Sequence, residues 1–163
     1  MAGNELAGLF RQHLKEHHNI ETEQEFEQLF IKEHLKGKHT IIPISVFSNK
    51  RLSALEAIVK YLRENEQLKN SKTALLLGRS PASIWITYRN AAKKHGKKLL
   101  LEKSDVFIPT AAIASARLSV LESISHYLHE KYGFSYSRIG RLLNRNERTI
   151  WTVCSRARKK LGK

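Results

Sequence analysis

The chain is poor in the residues that staple or punctuate a fold. Its one cysteine, Cys154, cannot close an intrachain disulfide, so nothing requires an oxidising compartment. With only 3 Pro and 8 Gly in 163 residues, a loop-rich sandwich and a disordered chain are both excluded. No apolar run approaches the length of a membrane span. The start, Met1 to Gly8, lacks the hydrophobic core of a signal peptide, so residence in the cytoplasm is the expectation. Acidic side chains are also scarce: 15 Asp and Glu stand against 29 Lys and Arg, a formal charge of +14. Such an excess points to a polyanionic partner, nucleic acid or an acidic membrane surface. The length fits one or two compact domains and leaves no room for a catalytic domain beside a separate binding domain.

Catalytic signatures are missing as well. There is no nucleophile–base pair, no paired carboxylates in a polar cleft and no phosphate-cradling glycine loop, so neither an enzyme nor a cofactor is expected. His13 and His17 stand four apart, with His18, His34 and His39 nearby. No cysteine accompanies them, whereas closed zinc sites usually include Cys or tightly spaced His, so no metal is expected.

What the chain does have is an internal repeat. Residues 1–40 carry 5 basic and 7 acidic side chains, while 41–97 and 107–163 each carry 11 basic and 3 acidic ones. Sliding the sequence by 66 residues pairs Ile42-Pro43 with Ile108-Pro109, Arg51-Leu52-Ser53 with Arg117-Leu118-Ser119, and Ile84-Trp85 with Ile150-Trp151. Without a gap, 22 of 57 positions are identical. The expected organisation is an N-terminal amphipathic helical segment over 1–40, one repeat over 41–98, a linker over 99–106 and a second repeat over 107–163.

Apolar spacing within each copy is helical. Leu52, Leu55, Ile58, Val59 and Leu62 form a stripe repeated by Leu118, Leu121, Ile124 and Leu128. A short second helix is expected from about Ser71 to Leu77 and from Ser137 to Leu143. A third follows Ser80 or Asn146, both good N-cap residues, with Pro81 at the first helical position, and runs to about His95 or Leu161. No stretch alternates with period two long enough to suggest a strand. The fold class is therefore all-α. In the N-terminal segment, Leu6, Leu9, Phe10 and Leu14 fit one amphipathic helix and Phe26, Leu29, Phe30 and Leu35 another; their apolar faces need the repeats, or the same segment of a second chain, as a partner.

The second and third helices have helix-turn-helix spacing. That motif needs a small residue at the helix crossing, a turn residue that tolerates positive φ and a branched apolar residue inside the longer helix. Ala74, Gly78 and Ile84 supply these in copy one, and Gly140, Asn144 and Ile150 in copy two. Two in-register matches, each in a strongly basic unit, point to double-stranded DNA as the partner.

Copy two, with Phe134-Ser135-Tyr136-Ser137-Arg138-Ile139-Gly140, Thr149-Ile150 and Arg156-Ala157-Arg158-Lys159-Lys160-Leu161, resembles region 4 of bacterial sigma factors. The resemblance spans both copies but not the N-terminal segment. It implies a DNA-binding helix-turn-helix fold and a possible contact with RNA polymerase; Thr73 stands in copy one where that family has an aliphatic residue, and the promoter-melting region is absent.

Helix geometry then selects the surface. Ile84, Tyr88, Ile150, Cys154 and Ala157 fall on the inner stripe, Cys154 as a core thiol. The outer face of the third helix and its approach carry Arg79, Ser80, Ala82, Trp85, Ile86 and Arg89 in copy one, and Arg145, Asn146, Arg148, Trp151, Thr152 and Ser155 in copy two. Arg89 and Arg148 suit guanine, Asn146 suits adenine or a phosphate, and Ala82, Ile86 and Thr152 suit thymine methyls. Lys93, Lys94, Arg156, Arg158, Lys159 and Lys160 lie further along, where phosphate contacts are expected. Trp85 and Trp151 occupy equivalent positions, either packed against a neighbouring helix or in contact with DNA. The expected role is a transcription regulator associated with the nucleoid. The alternatives are an architectural protein that coats or bridges DNA, and an adaptor in which one copy binds polymerase or another protein.

Overall fold

The computed structural model describes residues 40–162. The amphipathic stripes, the histidine group and the self-association surface expected over residues 1–39 lie outside the described residues.

Two elements absent from the sequence reading begin the copies. Ile41–Pro43 forms strand β1 and Phe107–Pro109 strand β2, paired antiparallel. The described residues are mostly helical, in keeping with the all-α expectation, and this two-stranded sheet is the one addition to it. Each strand is only three residues long, ends on proline and is buried on both faces rather than alternately, so no period-two pattern could announce it. A 3₁₀ turn, Ile44–Ser48, follows β1, and a short helix α4, Thr110–Ile113, follows β2.

The remaining elements repeat in register. Helix α1 (Ala54–Lys60), which runs on as a π-wound turn through Asn65, corresponds to α5 (Val120–Tyr132). Helix α2 (Asn70–Leu77) corresponds to α6 (Tyr136–Leu143), and α3 (Pro81–Lys94) to α7 (Glu147–Leu161). The local chemistry that sets these boundaries is duplicated too. Ser53 Oγ accepts from the Glu56 N–H at 3.2 Å while the Ser53 N–H donates to Glu56 Oε2 at 2.8 Å. Ser119 and Glu122 build the same box, at 3.3 and 2.8 Å. Each satisfies two of the unpaired donors at a helix start.

Both boxes are tied to the far end of the copy. Lys94 Nζ, at the end of α3, donates to the two Glu56 carboxylate oxygens at 2.8 and 2.9 Å, and Lys160 Nζ, at the end of α7, donates to Glu122 at 3.0 and 2.8 Å. Burial alone would raise both carboxyl pKa values, but the lysine and Ser N–H hydrogen bonds outweigh it and hold them below the usual carboxylate range. Lysine at a helix C-terminus and glutamate at an N-terminus also suit the two helix dipoles.

The copies share one apolar core. Ile42, Ile58, Leu62 and Ile84 of the first and Ile108, Ile124, Leu128 and Ile150 of the second are all fully buried within it. Their relation follows from the strand register. Ile42 faces Ile108, its own counterpart, with Ile41 opposite Pro109 and Pro43 opposite Phe107. An antiparallel pair centred on equivalent residues has a local twofold axis between them. The flanking contacts obey the same axis: the 3₁₀ turn of copy one packs on α6 of copy two, α4 of copy two packs on α2 of copy one, and α1 packs on α5. The segment between the copies is held as well. Leu99, Ser104 and Val106 are buried, Asn65 Nδ2 donates to the Leu99 carbonyl at 3.1 Å, and the Ile44 N–H donates to the Val106 carbonyl at 3.0 Å.

Candidate nucleic-acid interface

The turn between α2 and α3, and its equivalent between α6 and α7, aims the long helices. Gly78 takes φ 61° and Asn144 takes φ 52°, the left-handed region that Gly and Asn enter most cheaply. Their surroundings differ. Asn144 Nδ2 donates across the pseudo-dyad to the Phe47 carbonyl at 2.8 Å and the Ser48 carbonyl at 3.2 Å, whereas Gly78 lies against Ala114, the counterpart of Ser48. At the helix crossing, Gly140 is buried, and a Cβ there would sit 2.6 Å from the Arg145 carbonyl oxygen. Copy one accommodates Ala74 at the same place.

After the turn, the hydroxyl of Ser80 accepts from the Ser83 N–H at 3.2 Å, and Asn146 Oδ1 accepts from the Arg148 N–H at 2.8 Å. Both capping side chains are exposed. The inner stripe is buried: Ile84, Ile150, Cys154 and Ala157 have no exposed surface, while Tyr88 is partly exposed, and its hydroxyl donates to Glu64 at 3.2 Å. Burial pushes the Cys154 thiol up to about 11, so it is neutral and unreactive near neutral pH.

On the outer face, Arg79, Ala82, Ile86, Arg89 and Lys93 of copy one are exposed, as are Arg148, Arg156 and Lys159 of copy two. Thr152 and Ser155 are half-buried, and the Thr152 hydroxyl donates to the Arg148 carbonyl at 2.8 Å. Trp85 is 47% and Trp151 55% exposed, so neither is packed away against a neighbouring helix. Four of the basic residues expected on this surface have partners within the fold. Lys94 and Lys160 hold the capping boxes, Arg158 donates to the Tyr136 hydroxyl, and Arg145 donates to the Asn144 carbonyl at 2.9 Å and the Leu52 carbonyl at 3.4 Å.

Asn146, Arg148, Thr149, Thr152, Val153 and Arg156 line a shallow groove of about 650 Å³ along α7. A second, of about 450 Å³, is lined by Lys50, Ser137, Gly140, Arg141, Asn144, Arg145 and Glu147. Lys50, contributed by copy one to the face of copy two, has no signal in the sequence, since only the pseudo-dyad brings it there. Arg141 could have been found: it stands one residue after the crossing glycine, on the outer face of α6. Among the described residues, no group of three His, Cys, Asp or Glu side chains could hold a metal ion, and no helix is long and apolar enough to cross a membrane. No known protein family, curated protein or solved structure matches this chain.

Proposed function

We propose that this chain is a non-enzymatic double-stranded DNA-binding protein, a transcription regulator in which α3 and α7 each enter a major groove. One observation carries the reading. A short helix, a left-handed turn residue and a longer helix recur at a spacing of 66 residues, and each time the first turns of the longer helix are left open to solvent beside basic side chains. A helix-turn-helix presents base-reading residues on those turns. The charge of +14 supplies the sequence-independent attraction to phosphate, and the resemblance to sigma-factor region 4 points the same way. The expected location is the cytoplasm, on the nucleoid.

In copy two, Arg148 on the first turn of α7 reads a base edge, and Arg156 and Lys159 further along hold phosphates. Exposed Trp85 and Trp151 lie on the contacting faces and touch base edges or sugars. A second reading attaches to copy one, which exposes Leu75, Trp85 and Ile86 together with the uncharged Pro81 and Ala82. That apolar face suits a protein partner, RNA polymerase included, with copy two alone on DNA.

Binding of fluorescent duplexes by the intact chain and two variants tests the reading. Arg148→Ala should weaken binding to the preferred sequence by about 1–3 kcal/mol and relax the choice at one base pair. Lys159→Ala should weaken all sequences alike. Equal and uniform losses in the two variants would remove Arg148 from base reading, and an intact chain that ignores duplex DNA would refute the function.

A further inference from the structure

The symmetry of the chain constrains the symmetry of its target. If two equivalent units of one rigid body dock in the same way on one duplex, the operation relating the units also relates their binding sites. Here that operation is a twofold rotation. Equivalent strands pair antiparallel about Ile42 and Ile108, the 3₁₀ turn lies on α6 while α4 lies on α2, and one core joins the copies. A translation along the chain, which would suit two half-sites in the same direction, is incompatible with that register. We infer that a single chain reads an inverted repeat on one duplex, in the way that symmetric dimers of other helix-turn-helix proteins read palindromes. This inference rests on the DNA-binding reading above.

The repeat is inverted in geometry but unequal in sequence, because the two reading faces differ. On its first two turns α3 exposes Ala82, Trp85 and Ile86, with Ser83 half-buried. At the same places α7 carries Arg148, Trp151 and Thr152, with Thr149 exposed. An alanine and an isoleucine can touch thymine methyl groups but have no donor or acceptor for a base edge, whereas Arg148 can donate twice to guanine. Copy one therefore sits on the thymine-rich arm and copy two on the guanine-containing arm; Arg89, on the third turn of α3, lies beyond the turns that read bases and meets phosphate. The tryptophan common to both makes the same contact on each side.

Binding-site selection from random duplexes with the full chain tests this, followed by affinity and stoichiometry on probes with the selected arms inverted or direct at equal spacing. Two inverted, unequal arms are expected, bound by one chain per duplex. The inverted probe should bind about ten- to a hundredfold tighter than the direct one, since only there can both tethered copies engage. The triple variant Ala82→Arg, Ser83→Thr, Ile86→Thr makes residues 82–86 identical to 148–152, and its selected site should become a symmetric palindrome. Direct arms, a single arm, a flat profile or two chains per inverted site would each overturn the inference while leaving DNA binding intact. Failure to bind any duplex would instead refute the reading on which it rests.

Discussion

The two copies share a backbone plan and differ on their surfaces. Ile42, Ile58, Leu62, Ile84 and Ala91 are buried and identical to Ile108, Ile124, Leu128, Ile150 and Ala157. The capping serines, the buried glutamates and the exposed lysines that hold them are identical too. On the open face, Leu75 faces solvent where copy two has Arg141, Ala82 where it has Arg148, and Asn90 where it has Arg156. The core positions named above are kept, while these three solvent-facing positions have changed. Trp85 and Trp151 are exposed yet identical, as are Lys93 and Lys159. Packing does not require a half-exposed tryptophan; under the proposed function, the shared requirement is contact with DNA by both faces.

The sharpest way to break the equivalence is at the helix crossing. Gly140→Ala would place a Cβ 2.6 Å from the Arg145 carbonyl oxygen, so the turn must open. The expected cost is about 3 kcal/mol, read as a lowered midpoint in chemical denaturation. The reciprocal change in copy one, Ala74→Gly, removes a buried Cβ and adds backbone freedom, for about 1 kcal/mol. Equal losses would contradict the tighter crossing described for copy two.

A smaller effect tests the equivalence itself. Glu56→Ala and Glu122→Ala each remove half of a capping box and the partner of a terminal lysine, and each should cost about 1 kcal/mol. Both carboxyls have folded pKa values below their unfolded ones. Their stabilisation is therefore complete above the unfolded value of about 4.3 and is lost as pH falls through the folded values. The double variant should show a flatter loss of stability on acidification than the parent, measured by thermal unfolding between pH 6 and pH 2. An acid limb unchanged in slope would contradict the staples.

The smallest effect lies at the junction of the first two helices. Gln67 takes φ 57°, and its counterpart Gly133 takes φ 64°. A side chain in the left-handed region costs energy that glycine avoids. Gln67→Gly should therefore stabilise the fold by about 0.5 kcal/mol, whereas Gly133→Ala should destabilise it by a similar or larger amount. The two shifts in unfolding midpoint should have opposite signs.

Much of this molecule was legible before its structure. The starts of α3 and α7 are written in Ser80-Pro81 and Asn146, the left-handed turns in Gly78 and Asn144, and the buried stripes in Ile84 and Ile150, because these features depend on neighbours within a turn or two. What lies between the copies was not legible. The strands are too short to carry a period, and their pairing joins residues 66 positions apart. The pseudo-dyad, the Asn144 bonds to Phe47 and Ser48 and the placement of Lys50 beside α6 all depend on that pairing. Among the basic residues, charge and helix face brought Lys94 and Lys160 into the candidate surface. Only the packing of α3 on α1 and of α7 on α5 turned them towards Glu56 and Glu122.

The central claim is that the exposed faces of α3 and α7 bind duplex DNA through its phosphates as well as its bases. The salt dependence of that affinity tests it most directly, with binding of the full chain followed by the fluorescence of Trp85 and Trp151. If each copy neutralises about 3–5 phosphates, log K should fall against log[salt] with a slope of roughly −5 to −9, and the tryptophan signal should change on binding. A slope near zero, or a tryptophan signal indifferent to saturating DNA, would contradict it.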